Sequence, residues 1–213
     1  VICHKPDVAV KIDTQAQQVH LQSGKVLAYD KLLIATGSRA RMPVAAWANL
    51  NNVYTLRDIQ DCQNLAKAFE TAKSIAVIGG GWIGLEIAAT ARKQGKNVEI
   101  FEYGSRLCAR SISPEVSEFL KTLHEDAGTK IHLNATELHL NQVENTRVEV
   151  NAGALGQAVF DCVVVGAGAE IAKELAVDAK LDVKDGIVVN QYGQSSDANI
   201  YAAGDVAIHP SLG

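Results

Sequence analysis

Apolar residues fall in short runs separated by glycine, proline and asparagine, and the period of the runs changes along the chain. Val8–Ile12 and Gln18–Gln22 read as two short strands, and Ser23-Gly24 closes the turn after the second. Lys31–Ala35 is nearly all apolar and runs into Thr36-Gly37-Ser38, which predicts a buried strand. Pro43 and Asn49–Asn52 mark a linker. From Asp58 the spacing turns helical, with Ile59, Cys62, Leu65, Ala66 and Phe69 on one face.

The middle of the chain gives the strongest pattern. A short apolar strand, Ile75–Ile78, meets a glycine-rich turn, and a helix follows over Trp82–Gln94 with Gly95 as its C-cap. Val98–Phe101 is a second parallel strand. Ser113 caps another helix, with Pro114 and Glu115 in its first turn and Val116, Phe119, Leu120 and Leu123 as its apolar face; Gly128 ends it. Ile131–Leu133 is a third strand, and Thr136–Leu140, Arg147–Val150 and Phe160–Val165 form a β-meander. Past Gly168 the pattern shifts to a helix at Ala172–Ala179 and strands at Ile187–Asn190 and Ile200–Ala203. The layout predicts an α/β fold: one Rossmann-like domain with a central parallel sheet and a β-meander over residues 44–166, flanked by residues 1–43 and 167–213 as two pieces of another domain. The chain opens at Val1 as though in mid-strand and reads as a fragment of a longer protein.

The glycine-rich turn carries the chemistry. Gly79-Gly80-Gly81-Trp82-Ile83-Gly84 fits G-x-G-x-x-G, with Gly79 for the tight turn, Gly81 for close approach of a pyrophosphate and Gly84 for helix–strand packing. The helix N-terminus adds N–H donors and partial positive charge. The turn follows a strand and opens a helix lined by Ala88, Ala89 and Ala91, and Glu102 ends the next strand. A carboxylate there accepts hydrogen bonds from the adenosine ribose and repels a 2′-phosphate, so NAD(H) is expected over NADP(H), although Arg106 and Arg110 follow. Glu86, two residues past Gly84 in the first turn of the helix, reads from its spacing as an exposed, dipole-favourable glutamate. Trp82 is either a packing residue or a cover for the cofactor. Gly166-Ala167-Gly168 fails as a second fingerprint because Ile171 stands at the third glycine position, and Gly204-Asp205 on composition alone is a turn.

Composition removes other classes. At 213 residues, 47% hydrophobic and 21% charged with a net charge of −4, the chain has room for one large or two small domains. It lacks the basic stripe of a nucleic-acid binder, and no apolar run approaches the ~20 residues of a membrane span. Cys3, Cys62, Cys108 and Cys162 form no CxxC, which fits a reducing compartment such as the cytoplasm. The six histidines have no metal-ligand spacing: after His124-Glu125, Gly128 replaces the second histidine of HExxH, and His132 and His139 read as strand residues. No metal is expected.

Tyr29–Gly37, Gly79–Glu86 and Ile200–Val206 occur in the order found in the two-dinucleotide-binding flavoproteins, the pyridine nucleotide-disulfide oxidoreductases and their ferredoxin-reductase relatives, and the chain resembles that family over nearly its whole length. Leu56-Arg57, Gly79–Glu86 and Glu102 through Arg106-Leu107 to Arg110 look most like the NADH:ferredoxin reductases of aromatic-ring dioxygenase systems, with rubredoxin and putidaredoxin reductases close by. The resemblance implies FAD and NAD(H) as cofactors, a ferredoxin as partner, and the flanking pieces as parts of an FAD-binding domain. Within it Val8, Thr36, Gly37, Arg57 and Asp205 match FAD contacts; Gly79–Gly84, Glu102 and Arg110 match NAD contacts; Gly166, Ala167 and Gly168 match the loop beside the nicotinamide. Glu86 matches a carboxylate near the flavin–nicotinamide contact, against the reading from spacing. Two features depart from the family: Ala169–Ala172 replace its usual Pro-Asn, and its first G-x-G-x-x-G is not in this chain. Other NADH-dependent flavin reductases, or a nucleotide-sensing interaction module like the apoptosis-inducing-factor relatives, are the alternatives the resemblance leaves.

Overall fold

The computed structural model describes residues 1–210. Contacts divide the chain into two compact units, Val1–Arg39 with the segment from Glu170 onward, and Ala40–Ala169.

No strand passes through Val1. The first strand, β1 (Ala9–Asp13), begins one residue beyond Val8, which is exposed. It pairs antiparallel with β2 (Gln18–Leu21), which pairs with β3 (Val26–Ala28), a strand too short for its alternation to be read in advance. β4 (Leu32–Ile34) is narrower and less buried than expected: Ile34 is buried but Leu33 is 59% exposed. Full burial needs cover on both faces of a strand, and only the Ile34 side joins a core. A short strand, β5 (Ser38–Ala40), follows.

The expected linker is partly structured. Ala45–Asn49 forms a 3₁₀ turn whose Trp47 is buried, and β6 (Val53–Tyr54) comes next. Helix α1 (Ile59–Thr71) is capped by Asp58, whose carboxylate accepts the Asp61 N–H at 2.8 Å. It buries Leu65 and Phe69, while Ile59 and Cys62 stay exposed. The unit then runs β7 (Ser74–Ile78), α2 (Trp82–Lys93), β8 (Asn97–Phe101), α3 (Pro114–Asp126), β9 (Lys130–His132), β10 (His139–Val143), β11 (Arg147–Asn151), β12 (Gln157–Phe160) and β13 (Cys162–Val165). Five strands form one parallel sheet in the order β6-β13-β7-β8-β9.

Alternation along β7 and β13 sorts the layers. Ile75, Val77, Cys162 and Val164 face a core with α1 and α2, through Leu65, Phe69, Leu85, Ala88 and Ala91. Ala76, Ile78, Val163 and Val165 face the meander β10-β11-β12, through Leu140, Val148, Val150 and Phe160. The result is the expected three layers, helices on sheet on meander.

Three expectations fail within this unit. The first meander strand is His139–Val143, not Thr136–Leu140. Residues 160–165 are two strands, not one: the Asp161 carboxylate accepts N–H groups of Lys73 (2.9 Å) and Ser74 (3.0 Å) and the Ser74 hydroxyl (3.0 Å), turning the chain from the meander into the central sheet. Helix α3 is rotated from its expected facing. Val116, Phe119 and Leu123 are exposed, while Ser117 and His124 are buried. The Ser117 hydroxyl donates to the Leu107 carbonyl at 2.7 Å, which draws that side inward, and burial lowers the His124 pKa.

Returning to the first unit, β14 (Ala169–Ile171) leads to α4 (Glu174–Asp178), then β15 (Ile187–Val188), β16 (Ile200–Ala202) and β17 (Ala207–Ile208). β16 pairs parallel with β4 and β15 with β17, around a core of Ile12, Ile34, Ala176, Ile187 and Ile200. No helix among the described residues is long and apolar enough to cross a membrane.

Candidate functional site

The carboxyl ends of parallel strands β7, β8 and β13 lie along one edge of the sheet, so the segments that follow them leave side by side. From β7 the chain proceeds to β8 on one side, while β13 pairs on the other, which makes the space between β7 and β13 a switch point of the kind that takes ligands.

Each glycine of the turn is fixed by a neighbour or by an opening. Gly79 has φ +108°, its N–H donates to Phe101 O at 2.8 Å, and a Cβ there would stand 2.5 Å from the Gly166 carbonyl oxygen. A Cβ on Gly84 would collide with the Gly79 carbonyl. Gly81 differs: nothing lies within 4 Å of a Cβ built on it, and it is the N-cap of α2 with no side-chain cap. No side chain caps the first N–H groups of α2, and no atom crowds the backbone at Gly81, which suits the approach of an anion. Gly80, outside the three pattern positions, is as constrained as they are, since a Cβ would stand 2.5 Å from Leu107 Cδ2.

Trp82 and Ile83 are 50% and 43% exposed, so Trp82 is not a core packing residue. Glu86 is exposed, and its side chain makes no hydrogen bond or ion pair among the described residues. It is the fifth residue of α2, not a member of the first turn, because the helix begins at Trp82; the dipole account of it loses its basis.

Glu102 is half-buried, and both carboxylate oxygens are engaged: Oε2 accepts the Gly80 N–H at 2.5 Å and Oε1 the Gly104 N–H at 2.6 Å. The two arginines that follow divide their tasks. Arg106 donates to the carbonyls of Ile112 (2.9 Å) and Ala109 (2.7 Å) and holds its own loop together. Arg110 is exposed, and its guanidinium lies 3.7 Å from a Cβ built on Gly168. Gly166 N–H donates to Ile78 O at 2.8 Å, and Gly168 has φ +97°. The structure thus gathers Gly79–Gly84, Glu102, Arg110 and Gly166–Gly168 at one edge. Arg57 lies in the same unit, after β6, with its N–H on Asp61 Oδ2 at 2.9 Å.

In the other unit, Thr36 Oγ1 donates to Ala172 O (2.6 Å), Gly37 has φ +63° with open space around a Cβ, and Asp205 Oδ2 accepts from Ser38 Oγ at 2.7 Å. Val8 stands just before the three-stranded sheet, with its carbonyl accepting Gln22 N–H at 2.8 Å.

The sequence assigns no site role to Gly104, Cys108 or His132. The Cys108 N–H donates to Gly80 O (3.0 Å), and burial, with the charge of Glu102, raises its thiol pKa. His132 O accepts the Glu102 N–H at 2.8 Å, and its ring stacks on Phe101 with centroids 4.6 Å apart. A glycine two residues after the acidic position was the one signal available.

The family model described as pyridine nucleotide-disulphide oxidoreductase matches residues 3–212. Rhodocoxin reductase of Rhodococcus erythropolis is 37% identical over 99% of this chain, and the ferredoxin–NAD(+) reductase component of the biphenyl dioxygenase system of Paraburkholderia xenovorans strain LB400 is 36% identical over 93%. The chain spans about half the length of these curated relatives, 49% and 48%. Among solved structures, the ferredoxin reductase for the CYP199A2 system from Rhodopseudomonas palustris has a TM-score of 0.89 at 34% identity, over 97% of this chain and 51% of that one.

Proposed function

The chain belongs to the pyridine nucleotide-disulphide oxidoreductase family, and from that premise we propose that it is the nucleotide-binding part of an NADH-dependent flavoprotein reductase that passes electrons to a ferredoxin, as its relatives of dioxygenase systems are named to do. The unit Ala40–Ala169 takes the NADH, and the unit holding Thr36, Gly37 and Asp205 forms part of an FAD site. Its four scattered cysteines, with no CxxC, support a reducing, cytoplasmic setting for it.

The observation that carries the reading is the opening at Gly81 beside a half-buried acceptor-only carboxylate, Glu102. The first turn of α2 receives the pyrophosphate, with the exposed Arg110 near Gly168 as a counter-charge. Glu102 accepts from the ribose hydroxyls and repels a 2′-phosphate. Trp82 and Ile83 cover the bound nucleotide, and Gly166–Gly168 line the nicotinamide end, with the exposed carboxylate of Glu86 at the hydride-transfer face. Thr36 and Asp205 as polar groups and Gly37 with open space around a Cβ fit an approach to FAD, and Val8 is assigned as a further contact in the same unit. When bound, FAD supplies two-electron acceptance from NADH and one-electron release. The protein's share is alignment and exclusion of water.

Glu102→Arg tests the assignment. NADH affinity should fall roughly tenfold or more, the scale of lost hydrogen bonds to a charged acceptor, and the NADPH-to-NADH preference should rise. Unchanged NADH binding with no gain for NADPH would end the NAD reading. A full-length protein that bleaches with NADH yet reduces no ferredoxin would end the reductase reading.

A further inference from the structure

We propose that the outward face of α3 is an interaction surface, and that its occupant is an apolar, basic-edged segment of the full-length polypeptide outside residues 1–213. The proposal does not depend on which nucleotide the Ala40–Ala169 unit takes.

Helix α3 is apolar on two sides. Inward, Leu120 packs on the core of the unit, and Ser117 and His124 are buried. Outward, Val116, Phe119 and Leu123 are 45%, 64% and 53% exposed. Spacings of three and four residues align them in one stripe along the helix. Single exposed apolar side chains need no explanation, but an aligned patch marks a contact. Charge and area select the occupant. By the same periodicity Glu115 and Asp126 border the stripe, one near each end. Lys121, the only lysine of the helix, is engaged by Glu118 (3.5 Å) and Glu125 (3.2 Å). A second copy lying antiparallel would set Glu115 against the partner's Asp126, and a parallel one would set each acid against its own kind, so self-pairing is opposed. An apolar segment edged with Lys or Arg complements the face instead. Three side chains of this size offer on the order of 300 Å², well short of the ~800 Å² per partner of a standard stable complex. A patch this small holds an occupant that is tethered to it, because the tether replaces a bimolecular encounter with a high effective concentration. The chain covers 49% of rhodocoxin reductase and 48% of the biphenyl dioxygenase reductase component, so a polypeptide of their length has a further half to supply the tethered segment.

Hydroxyl-radical footprinting of the full-length wild-type protein, read by mass spectrometry over a dilution series, tests whether the face is covered. Phe119 and Leu123 should be modified roughly tenfold more slowly than in the urea-unfolded protein, as buried side chains are, at every concentration. A benzophenone amino acid in place of Phe119 then identifies the cover. Irradiation should give a product of monomer mass, joined to a peptide that lies outside residues 1–213 and carries Lys or Arg. If that variant does not fold, the same group in place of Leu123 takes over, and if neither folds the wild-type footprint decides. Modification of Phe119 and Leu123 near the unfolded rate overturns the proposal. So does protection that fades on dilution or a product of dimer mass, since a second copy is then the cover. Protection that appears only when an iron–sulfur protein is added assigns the face to that partner and also overturns it. A crosslink to a peptide within residues 1–213, to one without Lys or Arg, or to nothing does the same.

Discussion

The two units of this chain carry similar strand-to-glycine motifs on very different supports. In Ala40–Ala169, the strand before Gly79 lies inside a five-stranded parallel sheet with a buried core on each face. In the other unit, the strands before Gly37 and Gly204 form a two-stranded pair, β16 taking one further antiparallel bridge from Gln194 to Tyr201, and one core of nine buried residues, seen from Ile12 to Val206, serves them. A glycine turn becomes a precise site when neighbouring strand ends bring other loops against it. Gly79 touches Gly166 and Gly80 touches Glu102, whereas Gly37 and Gly204 have nothing within 4 Å of a Cβ.

That contrast predicts opposite outcomes for the same substitution. Gly84→Ala forces a Cβ into the Gly79 carbonyl and to 3.2 Å from Val77 Cγ1, so the unit should lose about 3 kcal/mol of stability by overpacking and with it NADH binding. Gly37→Ala meets open space and bears only the cost of its φ of +63°, about 1–2 kcal/mol. Thermal unfolding of both variants checks the order; equal losses would mean that the supporting sheet is irrelevant. A smaller effect is expected at Asp161, which turns the chain between the two sheets of the Ala40–Ala169 unit. Asp161→Ala strands the N–H groups of Lys73 and Ser74, and because the side chain is 31% exposed, water replaces part of the loss, leaving a cost of about 1–2 kcal/mol in urea titration.

The same difference in support governs what could be read from the sequence. The βαβ core from Ser74 to Glu102 was legible because period, capping and glycine chemistry agree there: β7, α2 and β8 lie within one or two residues of expectation. Strand β13 was merged with β12 because Phe160 and residues 162–165 are all apolar, and the break between them comes from the Asp161 bonds to residues 73 and 74, far away in sequence. The facing of α3 is hidden for a related reason: of its apolar stripe only Leu120 packs on the core while Val116, Phe119 and Leu123 are exposed, and the bond from Ser117 to Leu107 sets the rotation. The site's glycines and Glu102 were readable as a motif. Gly104, Cys108 and His132 were not, because each acts through backbone groups that any residue type carries.

The finest test of the contrast uses charge. At the β8–β9 edge of the sheet, Glu99 accepts from His132 Nε2 at 2.8 Å and Lys130 Nζ at 3.0 Å, with its side chain only 17% exposed. Burial is the largest single influence and raises its pKa, but the His132 and Lys130 hydrogen bonds and their positive charges together outweigh it, so the net shift is downward from 4.5. A carboxyl whose pKa is depressed by folding contributes stability that is complete above its unfolded value and lost as pH falls through the folded value. Glu99→Gln should therefore be less stable than wild type at pH 7 by on the order of 1 kcal/mol, and the gap should close as pH drops below the ordinary glutamate range. In the other unit, Arg39 bridges Glu170 and Glu174 with side chains 53–60% exposed, and Arg39→Met should cost little at any pH. Urea titrations of both variants at pH 7 and pH 3 read this directly. A gap for Glu99→Gln that does not change with pH would mean that packing against Phe101 and His132, and not the carboxylate's charge, holds the sheet edge beside Glu102.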